Sequence, residues 1–201
     1  MLQSKQWWGV SLGVLILAAS GLFGGLDSAP PPPPTAVNSE IDAGPWKVTI
    51  TGARLVGELP PMRLSDKGNM WIVVLATVEI TADQTWRHLN EIVQLDPIDG
   101  LKRKVSRNSA KVPVHFNDGI VLMRDAAKID QLNPGMPEKI AIFWELTAGA
   151  KIPAEVKVYI GHREHRINTL TNHLEWMDLS EENRAVAVPV VDKRESTAAT
   201  Q

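Results

Sequence analysis

The sequence contains no cysteine among its 201 residues. This absence excludes a disulfide framework, a thiol nucleophile, a zinc site with cysteine ligands and a lipid-modified N-terminal cysteine. An excess of charge of either sign is also missing, because the formal net charge is −2 at pH 7. A protein that binds nucleic acid over its whole surface is expected to be strongly basic, so we predict no nucleic-acid partner.

Several motifs of common enzymatic chemistry are missing as well. The sequence has neither a phosphate-binding P-loop nor a Gly-x-Gly-x-x-Gly turn. Its histidines cluster loosely, with His162 and His165 three residues apart in GHREHRIN and His173 further on. On a helix the first two would share a face and could bind zinc with a third ligand, but on a strand they would lie on opposite faces. We predict no cofactor, no metal and no catalysis; the alternative is an exported hydrolase or metal-dependent enzyme that uses the His162–His173 region.

A run of uncharged residues, WWGVSLGVLILAASGLFGGL, extends from Trp7 to Leu26. As a helix it would reach about 30 Å, the thickness of the hydrocarbon core of a bilayer. Lys5 precedes the run and Asp27 is the first charge after it, so the positive-inside tendency places the N-terminus in the cytoplasm. We predict a cytoplasmic tail at 1–6 and a transmembrane signal anchor at 7–26 in the cell membrane. A cleaved signal peptide is the competing interpretation.

Small residues share one face of this predicted helix. Two of them form a small-xxx-small pair, which allows transmembrane helices to approach closely. The alternative is that glycine is simply common in membrane helices. The candidates for helix packing are Gly9, Gly13, Ser20 and Gly24.

The segment at 27–44 is rich in proline, serine and alanine and poor in residues that could enter a core. Pro30–Pro34 cannot donate backbone hydrogen bonds, so we expect a polyproline II rod of roughly 15 Å. The segment is predicted to be a spacer that holds an extracytoplasmic domain at a distance from the membrane.

Beyond Pro45 the apolar residues alternate with period two, which is typical of β-strands. The clearest strands are WKVTI at 46–50, MWIVVLATVEI at 70–80, KIAIFWEL at 139–146 and EVKVYI at 155–160. Weaker strands are predicted at 91–95, 112–116, 120–123, 173–177 and 185–190, and a short helical turn at 124–132. Short strands separated by turns, without long amphipathic helices, predict an all-β antiparallel sandwich or barrel at 45–191. A disordered polar tail is predicted at 192–201.

Three stretches of this domain together resemble a bacterial family. They are the opening WKVTITGARL, the long strand GNMWIVVLATVEIT and the late LNPGMPEKIAIFWEL, and an anchor and a low-complexity spacer precede them. The combination is similar to extracytoplasmic immunoglobulin-like domains of unknown function on Gram-positive surface proteins. The resemblance implies an antiparallel immunoglobulin-like β-sandwich and a binding or accessory role beside a transporter or cell-envelope machine. It implies no catalytic residues.

The segment LKRKVSRNSAK at 101–111 contains five cations and no acid. Near a membrane, each cation would contribute about 1 kcal/mol of attraction to anionic headgroups, and anionic envelope polymers would be equally suitable partners. The alternative is a hairpin with a charged, soluble tip. The candidate partner-binding residues in this segment are Lys102, Arg103, Lys104 and Arg107.

A tryptophan in a polar loop is a second candidate for partner binding. Trp86 lies beside Arg87 in ADQTWRHLN, and an exposed tryptophan there could anchor a protein or sugar. It could equally fold back over the open end of the sandwich. Taken together, these features predict a membrane-anchored extracytoplasmic binding or accessory protein, a subunit of a transporter or cell-envelope complex, without catalytic activity.

Overall fold

The computed structural model describes residues 35–107, 113–179 and 184–194. The predicted cytoplasmic tail, the predicted anchor and residues 27–34 of the predicted spacer lie outside these residues, as do the candidate packing residues Gly9, Gly13, Ser20 and Gly24. Within the described ranges, no helix is long and apolar enough to span a bilayer.

The described chain is all-β. A 3-10 turn at Leu89–Glu91 is the one helical element of the described residues. The strands, in chain order, are β1 Glu40–Asp42, β2 Trp46–Val56, β3 Met70–Ile80, β4 Val93–Leu95, β5 Ser106–Arg107, β6 Pro113–Val114, β7 Gly119–Leu122, β8 Lys128–Ile129, β9 Glu138–Leu146, β10 Glu155–Ile160, β11 Arg163–Ile167, β12 Leu174–Asp178 and β13 Arg184–Asp192.

Nine strands form a continuous hydrogen-bonded sheet that folds into two layers. Its order is β4-β10-β13-β2-β3-β9-β7-β8, and β1 adds to β2. The layers are joined by β13, which pairs antiparallel with β10 over residues 184–189 and parallel with β2 over residues 190–192. The inward faces of β4, β10 and β13 contribute to the same apolar cluster as those of β2, β3 and β9. The domain is therefore a β-sandwich.

The long strands bury the faces that the alternating pattern predicts. Trp46 and Trp144, for example, are fully buried in the core between the layers. Burying a large apolar side chain contributes roughly 1.5–3 kcal/mol, so this shared core is the main source of stability. The second face of β3 is buried where the strand begins and emerges at its end. Trp71 and its neighbours are covered by Phe143 and by the loop at 57–64, whereas Glu79 near the strand end is half-exposed.

The structure differs from three predictions: a short helix and the two ends of the domain. In each case, pairing with residues distant in the sequence determines the structure. The predicted helical turn at 124–132 is wrong, since Lys128–Ile129 form β8 against β7. The folded domain begins before Pro45, because β1 covers the edge of β2 that β13 leaves free and Thr35 bridges Val186. It also extends past the predicted boundary at 191, where the Lys193 backbone N–H donates to Leu55.

Candidate functional site

The basic segment forms a hairpin at the end of the sandwich where β3 begins and β9 ends. Ser106–Arg107 in β5 pair with Pro113–Val114 in β6, and a bridge between Leu95 and His115 joins the hairpin to β4. A second bridge, Leu101 to Leu146, fixes its first residues to the end of β9. We call residues 102–107 with 113–114 the basic hairpin. The described residues of the segment thus pair as the alternative interpretation expects of a hairpin, while its tip lies outside them.

Three cations of the basic hairpin face solvent. Arg103, Lys104 and Arg107 are exposed and form no ion pair with a carboxylate in the described part of the chain. The Arg103 guanidinium donates to the backbone oxygen of Asn117, which fixes the stem without neutralising the charge. Val105, between these cations, is 52% exposed. The outer part of the hairpin thus carries three exposed cationic side chains and, between them in the sequence, one exposed apolar side chain.

Lys102, the fourth candidate, is engaged within the protein. Its ammonium lies 3.0 Å from Asp66 Oδ2 and also donates to Ser65 Oγ. The hydrogen bond to Asp66 is the main cause that raises the pKa of Lys102, and the same bond is the main cause that lowers the pKa of Asp66. Lys102 therefore stays protonated and ties the basic hairpin to the loop before β3.

A buried carboxylate at the end of β9 lies next to this ion pair. Glu145 Oε1 accepts three hydrogen bonds, from the Ser65 backbone N–H at 2.8 Å, the Ser65 hydroxyl at 2.6 Å and the Asn69 side-chain amide at 2.7 Å. Burial would raise the pKa of Glu145, but the bonds from Asn69 and Ser65 and the charge of Lys102 outweigh it, and the pKa is lowered. Ionised Glu145 therefore fixes the loop before β3 against β9, at the root of the hairpin.

Ser65 lies among groups that could in principle activate a nucleophile. Activation requires a neighbouring base that can accept the hydroxyl proton. Lys102 is protonated and cannot do so. The carboxylates of Glu145 and Asp66, which accept from this hydroxyl, have lowered pKa values and are weak bases. The arrangement therefore fixes the position of Ser65 rather than activating it, and we assign the cluster a structural role beneath the basic hairpin.

His115 is buried at the base of the basic hairpin. Its backbone exchanges hydrogen bonds with Leu95, and its carbonyl oxygen accepts the Trp144 indole N–H at 3.1 Å. Neither ring nitrogen has a hydrogen-bond partner among the described residues. Burial lowers the pKa of His115, and this effect outweighs the opposing charges of the carboxylates of Asp118 and Asp96. The imidazole is therefore held neutral at pH 7.

Trp86 lies in the core at the opposite end of the sandwich. It is 7% exposed and packs edge-on against Trp46, with ring centroids 4.8 Å apart. The Arg163 guanidinium lies over its ring at 5.3 Å, and its backbone exchanges two hydrogen bonds with Leu132. Of the two alternatives for Trp86, the structure shows the second, in which it closes the end of the sandwich. Its predicted role as an exposed anchor is corrected, while Arg87 is exposed beside it.

The histidines of the alternative enzyme hypothesis lie on a separate two-stranded ribbon formed by β11 and β12. His165 stacks on Trp176, with centroids 4.7 Å apart. His162 lies at the base of the ribbon, where its carbonyl oxygen accepts a bond from Leu179, and His173 lies at the tip, so the three do not converge. In the part of the chain that the structure describes, no group of three or more His, Asp or Glu side chains could hold a metal ion.

Arg163 attaches this ribbon to the sandwich. Its guanidinium donates to Glu91 at 2.6 Å and to the Trp176 backbone oxygen at 3.1 Å. Its backbone N–H donates to Ala43, and Gly44 packs so closely that a Cβ there would overlap the Arg163 carbonyl oxygen. The ribbon is therefore fixed at its base. Three aliphatic side chains are exposed toward its tip: Ile167, Leu170 and Leu174.

Glu145, the buried carboxylate beneath the basic hairpin, is not among the site residues predicted from the sequence. One signal for it exists, because Glu145 interrupts the apolar run of KIAIFWEL, and an acid in a buried strand requires hydrogen-bond donors. Its donors Ser65 and Asn69 are 80 and 76 residues away in the sequence, in the turn SDKGN. No local spacing links that turn to β9, so the partners could not be identified.

Comparisons with known proteins add a distant structural likeness. No protein-family model matches the sequence, and no curated protein matches it. The fold is similar to a crystal structure described as an uncharacterized β-sandwich protein from Clostridium difficile, with 12% sequence identity and a TM-score of 0.43, over 66% of this chain and 91% of that one. A likeness of this degree carries no argument about function.

Proposed function

We propose that the protein is a bacterial, membrane-anchored extracytoplasmic binding protein that serves as a non-catalytic accessory subunit of a transporter or cell-envelope complex. The observation that carries this proposal is the basic hairpin. Arg103, Lys104 and Arg107 are exposed without described acidic partners, on a stem that Lys102 and Asp66 hold in place. A fixed group of like charges suits an anionic partner surface, because it attracts that partner over a distance and fixes its register.

The location outside the membrane is the second part of the proposal. It is supported by the uncharged run at 7–26, the proline-rich segment after it and the resemblance to immunoglobulin-like surface domains. An immunoglobulin-like variant of the sandwich is compatible with two layers that share β13. The N-terminus is then cytoplasmic and the sandwich extracytoplasmic.

Cell fractionation tests the location. We expect the full chain with a C-terminal tag, expressed in bacterial cells, to remain in the membrane fraction after a carbonate wash. Protease added to intact spheroplasts should remove the tag. A tag that is protected until the cells are lysed, or a chain released in soluble form, would contradict the proposed location.

Crosslinking in membranes tests the binding role. Neutralising the three exposed cations of the hairpin should abolish a salt-sensitive crosslinked complex, because the charges that attract the partner are gone. A control variant with the same change of charge away from the hairpin should retain the complex. If both variants behave alike, the hairpin is not the binding surface. The variants are Arg103→Gln/Lys104→Gln/Arg107→Gln and the control Lys139→Gln/Arg166→Gln/Arg184→Gln.

The absence of catalysis is the third part of the proposal, and metal analysis tests its nearest alternative. An enzyme that uses the His162–His173 region with a metal would hold a stoichiometric ion and lose stability in chelator. We expect the purified full chain to contain no stoichiometric metal and to unfold at the same temperature with and without chelator. A chelator-dependent fall in that temperature would favour the metal-dependent enzyme.

A further inference from the structure

We propose that the anionic surface contacted by the basic hairpin is that of a lipid bilayer, so that this end of the sandwich lies against a membrane. The inference deepens the proposed function, on which it rests for the placement of the domain beside a membrane. It names the partner of the same surface, Arg103, Lys104, Val105 and Arg107.

Val105 distinguishes a bilayer from other anionic partners. It is 52% exposed and lies directly between two cations and the start of β5. An anionic envelope polymer is hydrated throughout, so it would give an apolar side chain no gain. A bilayer interface offers anionic headgroups to the cations and, just below them, an apolar region for Val105. Long cationic side chains reach the headgroups while their stems stay in the apolar zone.

The hairpin is held in a fixed geometry before any contact is made. Arg103 donates to the Asn117 backbone oxygen, Lys102 is bonded to Asp66, and β5 pairs with β6. Binding therefore requires little further ordering of the backbone, which is a cost that commonly weakens association. Because the stem is bonded to the sandwich, contact at the hairpin also sets the orientation of the whole domain.

The size of the effect follows from the number of exposed cations that have no carboxylate partner among the described residues. Each cation near an anionic leaflet contributes roughly a fivefold gain in affinity, so three give about a hundredfold gain. Lys102 adds less, because Asp66 lies 3.0 Å from its ammonium. The attraction extends over about 10 Å at moderate salt and shrinks as salt is added.

The absence of cysteine from the chain permits a site-specific test. A nitroxide label on Val105→Cys in the full chain keeps that position apolar and reports its surroundings. The labelled chain is combined with vesicles of phosphatidylcholine alone or mixed with phosphatidylglycerol, and relaxation by oxygen is compared with relaxation by an aqueous nickel chelate. We expect the label to contact the bilayer in the mixed vesicles, and high salt to reverse the contact.

Matched variants and a second label serve as controls. Each of Arg103→Gln, Lys104→Gln and Arg107→Gln should lower the population in contact about fivefold, whereas Lys139→Gln, at the other end of β9, should not. A label at Met136, which is 58% exposed near the opposite end of the sandwich, should stay in water with both vesicles. Equal accessibility of the Val105→Cys label in both vesicle types would overturn the proposal.

Failure of this inference is separable from failure of the proposed function. Flotation with phosphatidylcholine vesicles reports the anchor alone, since those vesicles carry no net charge. A chain that does not float with them, but whose label contacts the mixed vesicles, retains the lipid contact and loses the anchor. In a second outcome, the label shows no contact with either vesicle type while the crosslinked complex still requires the three cations. That result would overturn the lipid contact and leave the binding role intact.

Discussion

At the scale of single residues, one oxygen of Glu145 accepts all three hydrogen bonds from Ser65 and Asn69. In Glu145→Ala the buried Asn69 amide would lose its acceptor, and an unpaired buried polar group costs about 1–3 kcal/mol. We expect the free energy of unfolding to fall by about 3 kcal/mol in urea titrations, because the Ser65 bonds are lost too. Glu155→Ala, at an exposed position in β10, should change it by less than about 0.5 kcal/mol. Equal effects would show that the cluster is not stabilising.

His115 predicts how stability depends on pH. Burial places its pKa in the folded protein below the ordinary value of 6.5, so the unfolded chain takes up the proton first as the pH falls. The stability that depends on the neutral ring is therefore complete above pH 6.5. This contribution to stability is lost as the pH falls from 6.5 through the lower pKa that His115 has in the folded protein.

The test is urea unfolding of His115→Leu between pH 5 and 8. We expect the decline of stability below pH 6.5 to become shallower, because the ring that must stay neutral is gone. His173→Gln, at an exposed position of the ribbon, should leave the decline unchanged. An identical decline in His115→Leu and the unmodified chain would refute this origin of the pH dependence.

At the scale of elements, substitutions at two turn glycines separate the cost of backbone strain from the cost of steric overlap with a neighbouring residue. Gly44 and Gly135 both have positive φ, +91° and +73°, so alanine costs roughly 1–2 kcal/mol of backbone strain at either position. A Cβ at Gly44 would also overlap the Arg163 carbonyl oxygen, whereas nothing lies within 4 Å at Gly135. We expect Gly44→Ala to be at least about 1 kcal/mol more destabilising. Hydrogen exchange should then accelerate throughout β11 and β12; exchange that stays slow there would mean that the ribbon is not fixed through Gly44.

The sequence predicts the elements whose pattern is local. β2, β3, β9 and β10 were predicted because alternation reveals a buried face without knowledge of the partner strand. β1 was not predicted, because its residues follow the proline-rich segment and form a strand only by pairing with the edge of β2.

Burial set by distant contacts was not predictable in the same way. Trp86 has polar neighbours in the sequence, and its burial depends on Trp46 and Arg163. The charges of the basic hairpin can be read from its sequence. The ion pair between Lys102 and Asp66, which attaches the hairpin to the loop before β3, cannot, because Asp66 is distant in the sequence. Contacts made between distant segments leave no periodic signal in either one.

At the scale of the whole molecule, β13 joins the two layers, so it should determine whether they unfold together. A chain that ends at Pro189 would lose the parallel pairing with β2 and the bonds of Val190 and Lys193 to Ala154 and Leu55. At roughly 1 kcal/mol for each lost backbone bond, we expect a loss of about 3 kcal/mol or more in thermal or urea unfolding. A chain that ends at Arg194 keeps these contacts and should be as stable as the full chain. Equal stability of both truncations would show that the layers hold together without this crossing.

The position of β13 also has a consequence for timing. It follows the other described strands in the chain, yet it lies between β10 and β2 in the sheet. Chains usually begin to fold from the N-terminus as they are made, but here the two layers cannot be joined until residue 192 has been added. A growing chain that has reached only β10 therefore has strands of both layers but not the strand that joins them. The order of strands thus makes the joining of the two layers a late step in folding during synthesis.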